Sequence, residues 1–369
     1  MTISMKSFAP DWISPPGDTI MDLLEERGWS QVDFATRMGM SLKHINEIIK
    51  GKKGISNDTA VKLERVLGST AEFWLNRELQ YQQSLARISE AKRLGSWDSW
   101  ARQFPIRELM KAGYLTKQNI THNNLVAIVD ELLRLFSIAS PEEWDSTYAK
   151  MSGSFRCTRP DQSDTIAISS WIRLGEIVVE NVNSPKYNQS SFVSSLEEIR
   201  SLALSPFQDI ENNLKEICLK SGVVLVIVPS IPRARVSGVT RWVKSQPVIQ
   251  LSLYGKSNDR IWFTFFHEVA HLLKHDRKEI FLDEFDGKGL DIPEEHEADN
   301  WAADFLIPSK YFKELHKLKT EKAIIEFAKK VNTHPGIVVG RLQHEEFIKQ
   351  SQMNHLKVSY QTESHISSN

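Results

Sequence analysis

The feature that most constrains the fold is residues 261–275, where an apolar run leads into His267-Glu268-Val269-Ala270-His271. Residues four apart lie on one face of a helix, about one turn or ~6 Å apart along its axis. Two imidazoles so placed can converge on a single metal ion, and Glu268 can then reach a water bound to that ion. The segment is apolar on all sides, which predicts a buried helix. Its bulky apolar residues are Trp262, Phe263, Phe265, Phe266, Val269, Leu272 and Leu273.

These five residues have the H-E-x-x-H pattern of zinc peptidases, in which the histidines hold Zn²⁺ and the glutamate is the general base. The pattern also arises by chance, and the alternative is a core helix with two hydrogen-bonded histidines. The buried setting favours the metal site, because buried polar groups need partners and a metal ion would supply them.

Size and composition set broad limits. The 369 residues are enough for two or three domains, and 41% hydrophobic with 25% charged residues is typical of soluble globular proteins. A net charge of −1 neither favours nor excludes binding to nucleic acid, because the average can hide a basic patch.

The N-terminus lacks the apolar core of a signal peptide, and no apolar run is long enough to span a membrane. Cys157 and Cys218 form no C-x-x-C pair, which argues against a disulfide framework. We expect a cytoplasmic protein without membrane association.

Short amphipathic helices are predicted from Pro15 onward. A helix over residues 31–38 ends at Gly39, and Ser41 caps the next, over residues 42–50. Two short helices joined in this way form a helix-turn-helix, whose second helix would lie in the major groove of DNA.

The outward face of that second helix is predicted to contact DNA. Asn46 can bind a base edge, and the lysines suit phosphates or guanine. Residues 41–53 contain four lysines and one glutamate, a basic patch in a neutral chain. The alternative is a small helical docking module with a solvated charged face. The inward side chains are Leu42, Ile45, Ile48 and Ile49, and the candidate DNA contacts are Lys43, His44, Asn46, Glu47, Lys50, Lys52 and Lys53.

Residues 17–76 resemble the XRE-type helix-turn-helix of HigA-like antitoxins. The resemblance rests on S-Q-V-D-F-A-T-R-M-G-M-S-L-K-H-I-N-E-I-I-K-G-K-K-G and on F-W-L-N at residues 73–76. That family binds DNA as dimers and often represses its own operon. The resemblance therefore implies a double-stranded DNA operator, a homodimer on DNA and a toxin as a further partner.

The middle of the chain, from residue 77 to about 195, has a mainly helical pattern and no chemical motif. Amphipathic helices are predicted at residues 126–136 and 166–179, and Pro141 after Ser140 marks another helix start. The tryptophans here fit core anchors better than a binding cage. We expect a helical spacer or sensor module. The tryptophans are Trp97, Trp100, Trp144 and Trp171.

Three apolar stretches precede the helix that contains His267 and His271. They cover residues 223–229, 236–242 and 247–253, and each predicts a strand. A small antiparallel sheet packed against such a helix is the arrangement expected of zincin-type peptidases, where an edge strand can hold a peptide by backbone pairing.

Residues 294–308 supply the candidate third ligand. Glu295 shares a helix face with the apolar Ala298 and Ala302, which places it on the inward side. Asp299, one turn on, can accept the outer N–H of a ligating histidine. The alternative for this acidic cluster is a solvated helix start, where acids are favoured anyway.

The two segments together resemble the ImmA/IrrE metallopeptidases. The matching residues are H-E-V-A-H-L-L-K-H and E-H-E-A-D-N-W-A-A-D-F-L-I-P, against a family pattern of H-E-x-x-H followed by E-x-E-A-[ND]-x-F-A-A-x-L-L-[MI]-P. The resemblance implies that His267 and His271 are zinc ligands, Glu268 the base and Glu295 the third ligand. Trp301 stands where phenylalanine is usual in the family, which replaces one aromatic core residue by another. An XRE domain, a helical middle and this peptidase also resemble a known fusion type.

Two further histidines, His275 and His334, are candidates for lining the cleft at the metal site. His275 lies about 12 Å along the helix from His267, so capping or lining the cleft fits it better than ligation. His334 matches the start of the family's closing helix, where it either faces the cleft or is structural.

The sequence thus predicts a multidomain, mainly α protein. Its parts are an N-terminal arm (1–16), an all-α helix-turn-helix bundle (17–80), a helical middle (81–195), an α+β zincin-like domain (196–356) and a disordered tail (357–369). We expect a DNA-binding regulator fused to a zinc endopeptidase that cleaves a protein partner such as a repressor or antitoxin. The alternative is a HigA-like antitoxin or repressor whose zinc domain senses or binds without peptidase activity. A purely structural zinc site is disfavoured, because such sites usually have four ligands, mostly cysteine.

Overall fold

The computed structural model describes residues 14–149, 155–157, 164–205, 207–252, 257–276, 280–284 and 292–359. The chain divides after Trp97 into two compact units. No helix among these residues is long and apolar enough to cross a membrane. The predicted N-terminal arm lies, up to residue 13, outside the described residues.

The first unit is a helical bundle, as the sequence predicts. Ser41 caps the second helix of the helix-turn-helix by accepting a hydrogen bond from the His44 amide. Gly39 ends the preceding helix with φ of +64°, a conformation that glycine adopts without strain. The helices are α1 (Pro16–Arg27), α2 (Gln31–Met38), α3 (Leu42–Ile49), α4 (Asn57–Leu67) and α5 (Ala71–Ser96).

Two expectations for this unit need correction. The boundary predicted at residue 80 falls inside α5, which is continuous to Ser96. Leu42, expected to face inward, is 41% exposed, whereas Ile45 and Ile48 are buried in the core. Leu42 is the first residue of α3, so it precedes the turn that packs against the other helices.

The second unit combines many helices with one sheet. Its helices are α6 (Asp98–Ala101), α7 (Ile106–Lys111), α8 (His122–Phe136), α9 (Pro141–Trp144), α10 (Thr165–Glu180), α11 (Gln189–Ser201), α12 (Phe207–Lys220), α13 (Asn258–Lys274), α14 (Pro293–Leu306), α15 (Phe312–Leu315), α16 (Glu321–Lys330) and α17 (Pro335–His344). Its strands are β1 (Phe155–Cys157), β2 (Val224–Val228), β3 (Val236–Val243), β4 (Gln246–Ser252) and β5 (Ile280–Glu284). The predicted multidomain, mainly α fold is confirmed.

The sheet is mixed rather than antiparallel. Within the described residues its strand order is β1-β5-β3-β4-β2. β3 pairs antiparallel with β4 and β5, whereas β2 runs parallel to β4 and β1 runs parallel to β5. The prediction of an all-antiparallel sheet was wrong, because an apolar run indicates a strand but not its partner or direction. β1 and β5 were not predicted.

Helices cover both faces of the sheet. Neighbouring residues of a strand point to opposite faces. Thr240 on β3 donates a hydrogen bond to the Glu268 carbonyl of α13 (2.8 Å). The next residue, Arg241, contacts Glu176 (3.1 Å) and the Ile172 carbonyl (3.2 Å) of α10 on the other face. α10 therefore forms a layer of the same compact unit as α13 and is not a spacer, whereas a sensor role for this region stays a prediction.

Large apolar side chains fill the second unit. Trp171 and Trp262 are fully buried, and Trp144 is buried among other aromatic rings. Trp97 and Trp100 are only partly buried. The buried tryptophans are core anchors, as expected.

A C-terminal segment packs against the first turn of α13. Lys357 Nζ donates to Asp259 Oδ2 (2.6 Å) and to Gln343 Oε1 (2.7 Å). The backbone N–H of Asn258 donates to the Val358 carbonyl (2.9 Å). The disordered tail predicted from residue 357 therefore starts too early, because its polar residues find partners on the second unit. Residues 360–369 lie outside the described part of the chain.

Candidate metal centre

Three candidate ligands meet between α13 and α14. His267 Nε2 and His271 Nε2 lie 2.9 Å apart on one face of α13. Glu295, in the first turn of α14, has Oε2 3.2 Å from His267 Nε2 and Oε1 3.5 Å from His271 Nε2. One donor atom from each residue lies within 4.8 Å of the others.

The donor set fits a zinc ion. Zinc binds imidazole nitrogen and carboxylate oxygen at about 2.0–2.2 Å, so its donors must lie within roughly 4 Å of one another. The nearest donor atoms of His267, His271 and Glu295 lie 2.9, 3.2 and 3.5 Å apart pair by pair, so the side chains need little adjustment to hold such an ion. Three protein ligands would leave a fourth position for water or substrate, as in catalytic rather than structural zinc sites.

Burial and hydrogen bonding shift the pKa values of two candidate ligands towards their metal-binding forms. Burial lowers the pKa of His271 to about 4 against the opposing hydrogen bond with Glu295, so its imidazole is neutral at pH 7. Burial raises the pKa of Glu295, but the hydrogen bonds and charges of His267 and His271 outweigh it and lower that pKa to about 2. Neutral imidazole and ionised carboxylate are the forms that bind metal ions.

Asp299 lies where the sequence places an outer support. Its Oδ1 is 2.9 Å from His267 Nδ1. A hydrogen bond to the outer nitrogen fixes both the ring orientation and the tautomer, so that Nε2 faces the ligand cluster.

Glu268, the residue after His267 on α13, is fully buried. A Cβ at Gly238 of β3 would lie 2.6 Å from Glu268 Oε1 and 2.8 Å from Thr264 Cγ2. Any Cβ at this position would therefore force the Glu268 or Thr264 side chain to shift. Sequence reasoning missed Gly238, although a glycine inside a predicted strand is a known signal of close backbone approach.

His275 lies behind His271 rather than in the ligand cluster. It is the C-cap residue of α13, and its side chain is 6% exposed. Its Nδ1 is 2.8 Å from His271 Nδ1, and its Nε2 is 3.4 Å from Glu297 Oε2.

His334 has a structural position. It is the N-cap of α17, where its Nδ1 accepts from the Gly336 amide (3.0 Å) and lies 2.8 Å from Asn258 Nδ2. Burial lowers the pKa of His334. These contacts join α17 to the first turn of α13, so of the two alternatives left by the sequence, the structural one fits.

The candidate DNA-binding residues share one region of the first unit. Lys43, Lys50, Lys52 and Lys53 are exposed, whereas His44, Asn46 and Glu47 are half-buried. Lys53 Nζ lies 3.3 Å from His44 Nδ1, which brings the loop after α3 back against its first turn.

Known proteins match the two ends of the chain. Residues 20–74 match the helix-turn-helix family, and residues 221–342 match the IrrE N-terminal-like domain, a peptidase family. The chain is 37% identical to the HTH-type transcriptional regulator YddM of Escherichia coli K12 over 75 residues, which are 20% of this chain and 78% of that protein. The chain belongs to the helix-turn-helix family. Both resemblances predicted from the sequence are thereby confirmed.

Two further relatives align with this helix-turn-helix protein. Virulence-associated protein I of Dichelobacter nodosus is 35% identical over 72 residues, 19% of this chain and 67% of that protein. The solved structure of an addiction module antidote protein of the HigA family from Coxiella burnetii is 27% identical, covering 22% of this chain and 89% of that one, with a TM-score of 0.21. Both matches cover only about a fifth of the chain.

Proposed function

We propose that this helix-turn-helix protein is a DNA-binding transcriptional regulator with a zinc-dependent endopeptidase in its second unit. The proposal rests above all on one observation. His267, His271 and Glu295 form a buried ligand cluster, with Glu268 beside His267, inside the segment that matches the IrrE N-terminal-like domain.

The chain supplies the remaining groups of a hydrolytic site. Zinc bound there would polarise a peptide carbonyl and lower the pKa of a water molecule. Glu268 would accept a proton from the attacking water at its carboxylate and pass it to the leaving amine. Asp299 would hold the ring of His267 in place throughout.

The proposed substrate is a protein partner, such as a repressor or an antitoxin. The similarity of the first unit to transcriptional regulators supports this class, because the same chain would act on a regulatory system at the DNA. The first unit would bind a double-stranded operator as a homodimer through α3 and its lysines. The HigA-family match also makes a toxin a candidate partner.

The peptidase is tested with Glu268→Gln, which removes the base but keeps the size of the side chain. Both zinc-loaded proteins are incubated with a proteome-derived peptide library, and new termini are identified by mass spectrometry. We expect cleavage by the wild type and a loss of about 10²- to 10⁴-fold in the variant, the usual contribution of a general base. His122→Ala, at a side chain 88% exposed, is the matched control and should cleave normally.

Equal cleavage by Glu268→Gln and the wild type would contradict the proposed mechanism. If the zinc-loaded wild type bound DNA but cleaved nothing, the alternative function would stand. The protein would then be a regulator or antitoxin whose metal domain senses or binds.

A further inference from the structure

The two candidate histidine ligands have different partners at Nδ1, the ring nitrogen outside the ligand cluster. His267 contacts a carboxylate directly, since Asp299 Oδ1 lies 2.9 Å from its Nδ1. His271 contacts another histidine, since His275 Nδ1 lies 2.8 Å from its Nδ1. Metal-bound histidines usually have a carboxylate, a carbonyl or water in this position, so a second histidine is an unusual partner for His271.

Protonation decides which ring donates. A histidine that binds metal through Nε2 has its proton on Nδ1. Two nitrogens at hydrogen-bond distance need one donor and one acceptor. His271 therefore donates, and His275 Nδ1 accepts. With His275 Nδ1 as the acceptor, the proton of this ring is on Nε2, which faces Glu297 Oε2 at 3.4 Å.

Glu297 completes this chain of contacts. It lies on α14 two residues after Glu295, and its Oε1 also accepts from Lys274 Nζ at 2.6 Å. The Glu297 carboxylate therefore contacts two residues at the end of α13, Lys274 and His275. The nearly buried His275 ring is thus held at both nitrogens.

We propose that α14 supports both histidine ligands, His267 through Asp299 and His271 through Glu297 and His275. His275 and Glu297 are then positioning residues for the metal, and three acids of one helix have three different parts in a single site. This inference rests on the proposed function, because it assigns the residues a role in binding zinc.

The test measures zinc affinity of the full chain by competition with a chromogenic chelator, together with the visible spectrum of the Co²⁺-loaded protein. His275→Ala should bind zinc about 10- to 100-fold more weakly, the usual cost of losing such an outer contact. His275→Asn should recover most of that loss, because its amide oxygen can accept from His271 Nδ1. Glu297→Gln should show a smaller loss, since it weakens the acceptor of His275 without removing the ring.

Controls separate this role from simple folding. Circular dichroism and thermal unfolding confirm that each variant is folded, and His122→Ala should keep wild-type affinity. The inference is overturned if folded His275→Ala binds zinc as tightly as the wild type, or if His275→Asn loses as much affinity as His275→Ala. A wild type that binds no zinc at all would overturn the proposed function itself, and the inference with it.

Discussion

At residue scale, the absence of a side chain at Gly238 is as important to the site as the charged groups. The β3 backbone passes within contact of the Glu268 carboxylate, and a Cβ there would lie 2.6 Å from Oε1. Any side chain at position 238 would have to displace the proposed base.

Gly238→Ala should therefore reduce peptide cleavage sharply while zinc content stays near the wild-type level. Overpacking of this kind also costs about 1–3 kcal/mol of stability. Cleavage of the peptide library and zinc content are measured side by side. Ser237→Ala, the neighbouring and partly exposed position, is the control and should behave as the wild type. Normal cleavage by Gly238→Ala would show that Glu268 has room to move.

The sequence predicts most of the site at this scale. Two histidines one helical turn apart converge on one point because of helix geometry alone, and Asp299 follows Glu295 by one turn on the same helix. The contact between His275 and Glu297 was not predictable, because these residues are 22 positions apart in the chain and meet only through the packing of α13 against α14. Side-chain spacing within one helix contains no such information.

At the scale of elements, a buried polar network fixes α10 to the sheet. Glu176 Oε1 pairs with Arg241 on β3 (3.1 Å), and Glu176 Oε2 pairs with Arg173 (3.1 Å) and accepts from Tyr148 (3.1 Å). The Gln250 side chain donates to the Trp171 carbonyl (2.7 Å). The α10 helix is thus joined to the sheet on the face opposite the metal helix.

Glu176→Ala should destabilise the protein by about 3–5 kcal/mol, because it leaves two buried arginines without their shared partner. Urea unfolding of the full chain, followed by tryptophan fluorescence, measures the change. Glu211→Ala removes a half-exposed pair with Lys215 and should cost no more than about 1 kcal/mol. Similar effects of the two substitutions would contradict a structural role for the network.

Sequence patterns predicted the helices and strands and their arrangement only in part. The strands before the metal helix and the helices at residues 126–136 and 166–179 follow from apolar periodicity. The sheet order does not, because three-residue β1 lies far along the chain from its partner β5, and neither segment has a distinctive pattern. The role of α10 was missed because its apolar face indicates burial but not what covers it.

At the scale of the whole molecule, the two compact units have separate cores. We therefore predict that DNA binding depends on the first unit alone. Lys50→Ala should weaken binding to any duplex and lower the salt dependence, whereas Asn46→Ala should cost about 1–3 kcal/mol only on the preferred sequence.

Fluorescence anisotropy tests this prediction on a duplex that the wild type selects from a random pool, at several salt concentrations. Lys62→Ala on α4, where the lysine pairs with Asp58, is the matched control. His267→Ala should bind the same duplex as tightly as the wild type. Loss of DNA binding in His267→Ala, or no effect of Lys50→Ala and Asn46→Ala, would contradict this division of roles.

The central claim is that His267, His271 and Glu295 hold one zinc ion, and metal analysis of the purified protein tests it most directly. The wild type, Glu268→Gln and His122→Ala should each contain about one zinc per chain, as expected of a three-ligand catalytic site. His267→Ala and Glu295→Gln should lose it. A wild type without zinc after reconstitution, or unchanged zinc in both ligand variants, would contradict the account.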